Sequence, residues 1–307
     1  MSPTSAAPAP TRHDIVTRLL LYPSHTLPTA AAPILVAIGL AVHDRVLALL
    51  PVTMAFLASW LIHVGGVFAD QYELIHKHPD VPEHPELLQA LSAGTLTLFG
   101  LRVAIVGSFL AAALTAPYLV SVVGLPAVLL LGGIGTIASL AYAATPLRYA
   151  RLGLADPIFF LMFGVLAVAA AYFVQVRTLE LPLSAFVVGL PVGALVTNVL
   201  LIDDIRDHRW DRTKGWRTGA VRFGIGWNRA ELTTLTVFAY VLPFSFWLGL
   251  HFTPWVLLPL LTLPVAIRVA RTVRGSDRFE DLFPMTPRAS RLALEFALLL
   301  AIGLSIR

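Results

Sequence analysis

Residues 198–224 read NVLLIDDIRDHRWDRTKGWRTGAVRFG, a stretch that begins with the pattern of an apolar helix and continues into a charged segment with four aspartates. Three of them, Asp203, Asp207 and Asp211, are spaced four residues apart, which places them on one face of a helix. Packed carboxylates repel one another unless a cation lies between them, and Mg²⁺ prefers such hard oxygen ligands. Together with Asp204, they predict a magnesium site near the end of this helix.

Basic residues are interleaved with these aspartates. Mg²⁺ is usually held in proteins by a few carboxylates together with substrate phosphates, and Arg and Lys donate hydrogen bonds to such phosphates. The stretch is therefore a candidate diphosphate site. The alternative is a charged loop with local ion pairs, which is the commoner origin of a mixed charge run. The candidate donors in this stretch are Arg206, Lys214 and Arg217.

The rest of the chain is strongly apolar: 57% of its 307 residues are hydrophobic, 13% are charged, and the mean hydropathy is +0.78. Long runs with almost no ionisable residue predict transmembrane helices, because a span takes about 20 apolar residues. The runs are continuously apolar rather than alternating, which excludes a closed β-barrel. We expect an all-α, multi-pass helical bundle around a central cavity. Nine spans are predicted, at 27–43, 48–69, 97–115, 118–144, 155–176, 182–203, 229–251, 254–270 and 288–306.

The distribution of Lys and Arg orients these spans. With the N-terminus inside, all of the 22 basic residues except Arg45, Arg177 and Arg307 fall in cytoplasmic segments. Since this bias sets topology, we expect a protein of the inner (cytoplasmic) membrane whose cavity opens to the cytoplasmic face. Every chemically rich loop then lies on that face. These loops are predicted at 70–92, 145–154, 204–228 and 271–287.

Composition also sets the domain organisation and the partners. Residues 1–21 are expected to be a disordered or short interfacial segment without the apolar core of a signal peptide, and residues 22–307 a single transmembrane domain. The absence of cysteine excludes disulfides, thiolate metal sites and cysteine nucleophiles. The formal charge of +4 and the pI near 9.7 indicate basic inner loops facing anionic membrane lipid, and no nucleic-acid partner is expected.

A second acidic cluster follows the second span, in LIHVGGVFADQYELIHKHPD. His63, Gly66, Asp70 and Glu73 follow helical spacing and could face one side together. We interpret Asp70 and Glu73 as a second metal-binding group, with Asp80 as an alternative to Glu73. His63 and Gly66 are candidate cavity residues, since a glycine lets a helix or a ligand approach closely. The alternative is an interfacial helix end with ordinary polar residues.

The segment YAATPLRYARLGLAD, between spans four and five, adds candidates on the same membrane face. Arg148 and Arg151 are candidate diphosphate donors, or else anchors that only reflect the positive-inside rule. The ring of Tyr142 could shield a carbocation, although tyrosines of the interfacial belt are commoner. Asn198, in span six, is expected to line the cavity or to bridge helices.

Several other chemistries are excluded. The chain has no glycine-rich phosphate loop, no His-Glu-x-x-His helix and no Gly-x-Ser-x-Gly elbow. Acidic residues are not spread through the middle of the spans, as a proton pump or an ion-coupled carrier would tend to require.

Three motifs in this order and topology resemble the UbiA superfamily of intramembrane prenyltransferases. Within it, the chain is most like the 1,4-dihydroxy-2-naphthoate prenyltransferases of menaquinone synthesis. YPSHTLPTAAAP at 22–33 is similar to the family's entry motif, and residues 146–175 to its fifth-span signature. The strongest match is DDIRDHRWDRTKGWRTGAVRFG at 203–224. The residues that fall on the family pattern in this third motif are Asp207, Asp211, Lys214, Gly215 and Thr218.

The chain departs from the family pattern in both acidic motifs. Gly66 stands where the first motif has an asparagine, and Asp203 and Asp204 stand where the second motif has asparagines. The scaffold also serves UbiA-type terpene cyclases, which ionise a prenyl diphosphate without an acceptor. A cyclase is therefore the alternative function, and a transporter or lipid-binding scaffold is a third possibility.

The resemblance implies Mg²⁺-dependent transfer of a prenyl group from a prenyl diphosphate to an aromatic or quinone-precursor acceptor, through an allylic carbocation within the membrane. The residues implied to be catalytic are Asp70, Asp207, Asp211 and Tyr142. The implied metal ligands are Asp70, Glu73, Asp203, Asp204, Asp207 and Asp211. The implied diphosphate donors are Arg148, Arg151, Arg206, Lys214 and Arg217, and the implied cavity residues are His63, Gly66 and Asn198.

Overall fold

The structure is a computed structural model that describes residues 26–77, 97–142 and 147–307. Within these ranges the chain is helical and forms no strand, so the predicted all-α class is confirmed there. The helices are α1 (Thr26–His43), α2 (Leu49–Lys77), α3 (Leu98–Ala113), α4 (Ala116–Val123), α5 (Leu125–Ala141), α6 (Ala155–Val176), α7 (Leu183–Val187), α8 (Leu190–Thr213), α9 (Gly219–Phe223), α10 (Ile225–Leu248), α11 (Leu263–Gly275), α12 (Phe279–Leu282) and α13 (Met285–Ser305).

Six stretches of the described residues are long and apolar enough to cross a membrane. They are α2, α3 together with α4, α6, α7 together with α8, α10, and the segment Pro254–Gly275 that ends in α11. The helices α1 and α5 are apolar but shorter. The chain is therefore a multi-pass membrane protein, while the number of nine spans remains a prediction.

Helix α8 forms the centre of the bundle. In its most apolar window 83% of the residues are buried, against 39% or less in every other membrane-length helix. Its sequence explains this position, because the helix is apolar or small on nearly every side before Asp203. It packs against α6, α10 and α13. A Cβ atom on Gly193 would overlap Gly164 of α6, so this pair of glycines lets the two helices approach closely.

The bundle has two ends of different character. The aspartate end contains the last residues of α2 and α8 and the first residues of α6; the far end contains the last residues of α1 and α6. At the far end, the Tyr172 hydroxyl donates a 2.5 Å hydrogen bond to Oδ2 of Asp44. The backbone N–H of Ala48 donates to Oε1 of Gln175 at 2.7 Å. These two hydrogen bonds tie the connection after α1 to the end of α6.

Three predicted boundaries are corrected by the structure. The span predicted at 118–144 is interrupted at Gly124, whose positive φ of 85° and the following Pro126 end α4 and start α5. The loops predicted from 70 and from 204 begin instead as helix, because α2 continues to Lys77 and α8 to Thr213. Asp80 and the first residues of the entry motif lie outside the described residues.

Candidate active site

A central cavity of about 580 Å³ lies among α2, α5, α6 and α8. Its wall changes character along α8, where Val196, Val199 and Leu200 are followed by the aspartates. Helix α6 contributes Phe163 and Ala167 on the apolar side. The cavity thus joins a carboxylate-rich mouth at the aspartate end to an apolar interior, which suits a molecule with a charged head and a hydrocarbon tail.

All four aspartates of α8 line this cavity. Arg206 lies between two of them: its Nη1 is 2.6 Å from Oδ1 of Asp203, and its Nη2 is 2.5 Å from Oδ2 of Asp207. Arg206 also lines the cavity, but the structure places its guanidinium against these carboxylates. It therefore neutralises part of the acidic cluster, and the remaining pair, Asp204 and Asp211, keeps the mouth rich in acceptor oxygens.

Two hydroxyl groups fix the orientation of these carboxylates. Thr286, in the first turn of α13, donates to Oδ1 of Asp203 at 2.5 Å. Thr218, immediately before α9, donates to Oδ2 of Asp211 at 3.2 Å. A carboxylate held by a fixed donor keeps its other lone pairs directed to one place, so these bonds pre-organise the cavity mouth.

Across the cavity, α2 supplies Asp70, while Glu73 lies outside the lining. Glu73 forms ion pairs with Lys77 on its own helix and with Arg148, whose Nη2 is 3.3 Å from Oε1. Both Glu73 and Arg148 are thus engaged in an ion-pair cluster beside the cavity. Because α2 continues as helix to Lys77, this second cation also lies within reach of Glu73. Of the predicted residues of this helix, His63, Gly66 and Asp70 line the cavity.

Arg151 is the most unusual cation of the mouth. Only 6% of its surface is exposed, and its guanidinium lies 4.1 Å from the centre of the Trp216 ring. Its Nη2 is 3.9 Å from Oδ1 of Asp70, too far for a hydrogen bond, and within the described residues neither Nη atom has a hydrogen-bond partner. Burial lowers the pKa of Arg151, which remains a cation since its ordinary pKa lies far above neutrality.

Aromatic rings line the cavity beside these charges. The Tyr142 ring lies edge-on to Tyr149, with centroids 5.5 Å apart, and 5.5 Å from Phe159. Deeper in the wall, the His63 ring is perpendicular to Phe163 at 5.7 Å. Burial, with Asp70 nearby, raises the pKa of Tyr149, so this phenol stays neutral. The faces of such rings can stabilise a cation, and the neutral rings do not react as strong bases.

Besides Arg148, two further predicted diphosphate donors, Lys214 and Arg217, lie outside the cavity lining. The Nζ atom of Lys214 is 5.3 Å from the Trp210 ring, and the backbone N–H of Arg217 donates to the carbonyl of Arg151 at 2.9 Å. The segment that carries Lys214 and Arg217 instead places Trp216 and Thr218 in the lining, so it covers the cavity mouth.

Asn198, expected to line the cavity, lies elsewhere. Its Nδ2 donates a 2.9 Å hydrogen bond to Thr236 of α10, and it faces a small separate cavity between α8, α10 and α13. The reason is helical phase. Asn198 precedes Asp207 by nine residues, which at about 100° per residue turns it to roughly the opposite side of α8. It bridges helices, the other interpretation of a polar residue here.

Trp216 and Thr286 line the site but were missed from the sequence. For Trp216 a signal existed, because it is an aromatic residue placed between Lys214 and Arg217 in the charged stretch. For Thr286 no local signal exists, since it reaches Asp203 only through the packing of α13 against α8.

The carboxylate oxygens that line the cavity are chemically suited to a hard divalent cation. Five carboxylates, those of Asp70 and the four aspartates of α8, face one cavity, and the described residues of its lining include two guanidinium groups. In the described part of the chain, no three His, Asp or Glu side chains converge as a group that could hold a metal by themselves. Mg²⁺ commonly takes one or two carboxylates and completes its shell with water and substrate phosphates, so the residues present fit this ion.

Comparison with known proteins agrees with this geometry. The UbiA prenyltransferase family model matches residues 28–283. Among curated proteins, the 1,4-dihydroxy-2-naphthoate octaprenyltransferase of Escherichia coli is 29% identical over 91% of this chain and 92% of its own length. The enzyme of that name from Mycobacterium tuberculosis is 26% identical over 90% and 92%. Human UbiA prenyltransferase domain-containing protein 1 is 34% identical over 47% of this chain and 41% of its own length.

A solved structure has the same fold. It comes from a study of digeranylgeranylglyceryl phosphate synthase in membranes, and it superposes with a TM-score of 0.58 over 93% of this chain and 97% of its own. The sequence identity of 14% limits this likeness to the fold. These matches confirm the resemblance drawn from the three motifs.

Proposed function

The chain belongs to the UbiA prenyltransferase family, and we propose that it transfers a prenyl group from a prenyl diphosphate to an aromatic or quinone-precursor acceptor within the membrane. One observation carries the proposal: Arg151, a cation with an exposed fraction of 6%, lies at the mouth of an apolar cavity, 3.9 Å from Asp70, and within the described residues neither of its Nη atoms donates a hydrogen bond. A buried cation without hydrogen-bond partners is costly, and a bound diphosphate would offset that cost.

The diphosphate would lie between Arg151 and the aspartates of α8. Arg151 can donate up to four hydrogen bonds from its two terminal nitrogens, a geometry that matches phosphate oxygens. The cation–π contact with Trp216 holds the guanidinium in place. The prenyl tail would extend along the apolar wall past Phe163 and Ala167, where its burial is favourable by about 0.8 kcal/mol per CH₂.

Mg²⁺ is part of this proposal. The residues that would hold it are Asp70 on one side of the mouth and the pair Asp207 and Asp211 on the other, with Asp203 and Asp204 adjacent. When bound, the ion would neutralise charge on the leaving diphosphate. Since Arg206 already pairs with Asp203 and Asp207, its own contribution is to hold these two carboxylates at a fixed position in the lining.

The reaction would begin with heterolysis of the allylic C–O bond, whose electron pair leaves with the diphosphate. Arg151 stabilises that leaving group, since its charge acts in a water-poor mouth. The rings of Tyr142, Tyr149 and Phe159 face the cavity where the allylic carbocation would form, and the apolar wall excludes water that would quench it. An electron-rich acceptor carbon then forms the new C–C bond, and the ring regains aromaticity by losing a proton or carbon dioxide from that carbon.

A dihydroxynaphthoate-like acceptor is the most specific form of the proposal. It is supported by relatives whose names specify that acceptor and which match about nine tenths of the chain. We also propose that the aspartate end faces the cytoplasm at the inner membrane, as the placement of the basic residues indicates. Accessibility of the exposed Arg209 to trypsin in sealed vesicles of either orientation would test that direction.

The direct test uses the purified full chain in detergent with Mg²⁺ and geranylgeranyl diphosphate, with and without 1,4-dihydroxy-2-naphthoate. We expect a prenylated naphthoquinol and free diphosphate only when donor, acceptor and Mg²⁺ are all present. A terpene released without acceptor would contradict acceptor transfer and favour a cyclase. Absence of diphosphate release under every condition would contradict both activities.

A further inference from the structure

A second cavity lies on the outside of the bundle and shares no lining residue with the central one. It is a groove of about 620 Å³ between the first half of α10 and the end of α11. Arg229 of α10 and Arg274 of α11 line it, and so do the small or apolar residues Ala230, Thr234 and Val237. The groove thus combines two guanidinium groups with an apolar floor.

Arg229 is held in a fixed position. Its Nε donates to the carbonyl of Val273 at 3.0 Å, and its Nη2 donates to the carbonyl of Ser276 at 2.7 Å. These carbonyls lie at the end of α11, where the last C=O groups of a helix lack intrahelical partners. The cation is therefore anchored by backbone oxygens, which leave its positive charge uncompensated.

Acidic side chains do not neutralise this groove. None is among its lining residues in the part of the chain that the structure describes. The acids nearest in sequence have other partners: Asp277 forms an ion pair with Arg209 at 2.8 Å, and Asp281 accepts a hydrogen bond from Ser276. Glu231 accepts one from Trp227. The groove consequently presents net positive charge.

The apolar floor continues along α10 as a stripe. Exposed Val237, Val241, Phe244 and Leu248 follow Thr234 at alternating steps of three and four residues, which places them on one face of the helix. From Thr234 to Leu248 the stripe runs about 21 Å at 1.5 Å per residue. Exposed Trp227 lies beside the cationic end, at the level where aromatic residues meet lipid headgroups.

We propose that this groove binds an anionic phospholipid. The phosphate would lie against Arg229 and Arg274, and an acyl chain would follow the stripe from Val237 to Leu248. Basic pockets between transmembrane helices at a membrane surface favour anionic headgroups, whereas a choline headgroup would bring a second cation towards the two guanidinium groups. The proposal is independent of the prenyl-transfer site.

Native mass spectrometry of the detergent-solubilised full chain, titrated with phosphatidylglycerol or phosphatidylcholine, tests this. The informative variant is Arg274→Gln, because Arg274 is exposed and, within the described part of the chain, makes no hydrogen bond or ion pair that its loss would break. The matched control is Arg271→Gln, which removes an exposed arginine from the same helix outside the groove lining. We expect Arg274→Gln to weaken phosphatidylglycerol binding about fivefold and Arg271→Gln to leave it unchanged.

Three results would overturn the proposal. Equal retention of the two lipids by the unmodified protein would show that the groove does not select an anionic headgroup. Equal weakening by the two arginine variants would show a diffuse surface attraction. Displacement of the lipid by millimolar inorganic phosphate would assign the site to a free anion instead. Diphosphate release by Arg274→Gln, measured in parallel, should match that of the unmodified protein.

Discussion

The two ends of the bundle bury polar side chains of different kinds. At the far end, Tyr172 donates to Asp44 and Oε1 of Gln175 accepts from the backbone of Ala48, while Nε2 of the uncharged Gln175 has no hydrogen-bond partner within the described residues. At the aspartate end, Arg151 is as deeply buried as Gln175, with both at 6% exposure, but it carries a full charge and neither of its Nη atoms has a hydrogen-bond partner within the described residues.

This difference separates residues that stabilise the fold from residues that are placed to bind a ligand. A buried polar group that is hydrogen-bonded in the protein contributes about 1 kcal/mol, whereas one left without a partner costs about 1–3 kcal/mol, and more when the group is charged. A fold can keep that cost where function requires it. Substitutions at the aspartate end should therefore change activity more than stability, and substitutions at the far end should do the reverse.

The largest effect is expected from Asp207→Asn. Asparagine keeps the shape of the side chain but removes the negative charge that would hold Mg²⁺ beside the diphosphate. We expect kcat for diphosphate release to fall at least about 100-fold, a loss typical of removing one transition-state contact. The change also weakens the ion pair with the buried Arg206, so the melting temperature should fall as well. For this reason kcat is expressed per folded protein, and both quantities are measured on the detergent-solubilised protein.

The matched control for this change is Asp277→Asn, which alters a half-exposed aspartate paired with Arg209 at the surface. Exposed ion pairs contribute at most about 1 kcal/mol, so its kcat and stability should stay near those of the unmodified protein. Full activity in Asp207→Asn would contradict the role of the α8 aspartates.

A smaller and opposite effect is expected from Tyr172→Phe at the far end. The change removes only the hydrogen bond to Asp44, so the free energy of unfolding should fall by about 1 kcal/mol and the melting temperature by roughly 2 °C. The turnover number should not change. A loss of turnover larger than the loss of folded protein would show that the far end takes part in catalysis, and the contrast between the ends would fail.

The sequence predicts the helices and the spacing of the site residues better than it predicts which side of a helix each residue faces. The apolar run of α8 predicts its helix, and the four-residue spacing of Asp203, Asp207 and Asp211 predicts their shared face, since both follow from helical periodicity. The same periodicity shows why Asn198 lies on the other side of the helix. The break at Gly124 was also readable, because a glycine two residues before Pro126 ends one helix and starts the next.

Other features depend on packing between distant segments. Thr286 contacts Asp203 across 83 positions of sequence, and Arg148 reaches Glu73 from a different helix connection. No local pattern encodes such contacts, because they are created when α13 packs on α8 and when the segment before α6 folds over α2. Of the two partners of Glu73, Arg148 is reached only in the assembled fold, whereas Lys77 is an i,i+4 neighbour on the same helix and follows from helical spacing.

The central claim is that Arg151 binds the diphosphate of a prenyl donor, and binding measurements with two matched ligands test it most directly. Geranylgeranyl diphosphate and the uncharged alcohol geranylgeraniol share the tail and differ in the head. For Arg151→Gln we expect the Kd of the diphosphate to rise between about 10- and 100-fold, while the Kd of the alcohol stays unchanged. Equal losses for both ligands, or no loss for the diphosphate, would contradict the account.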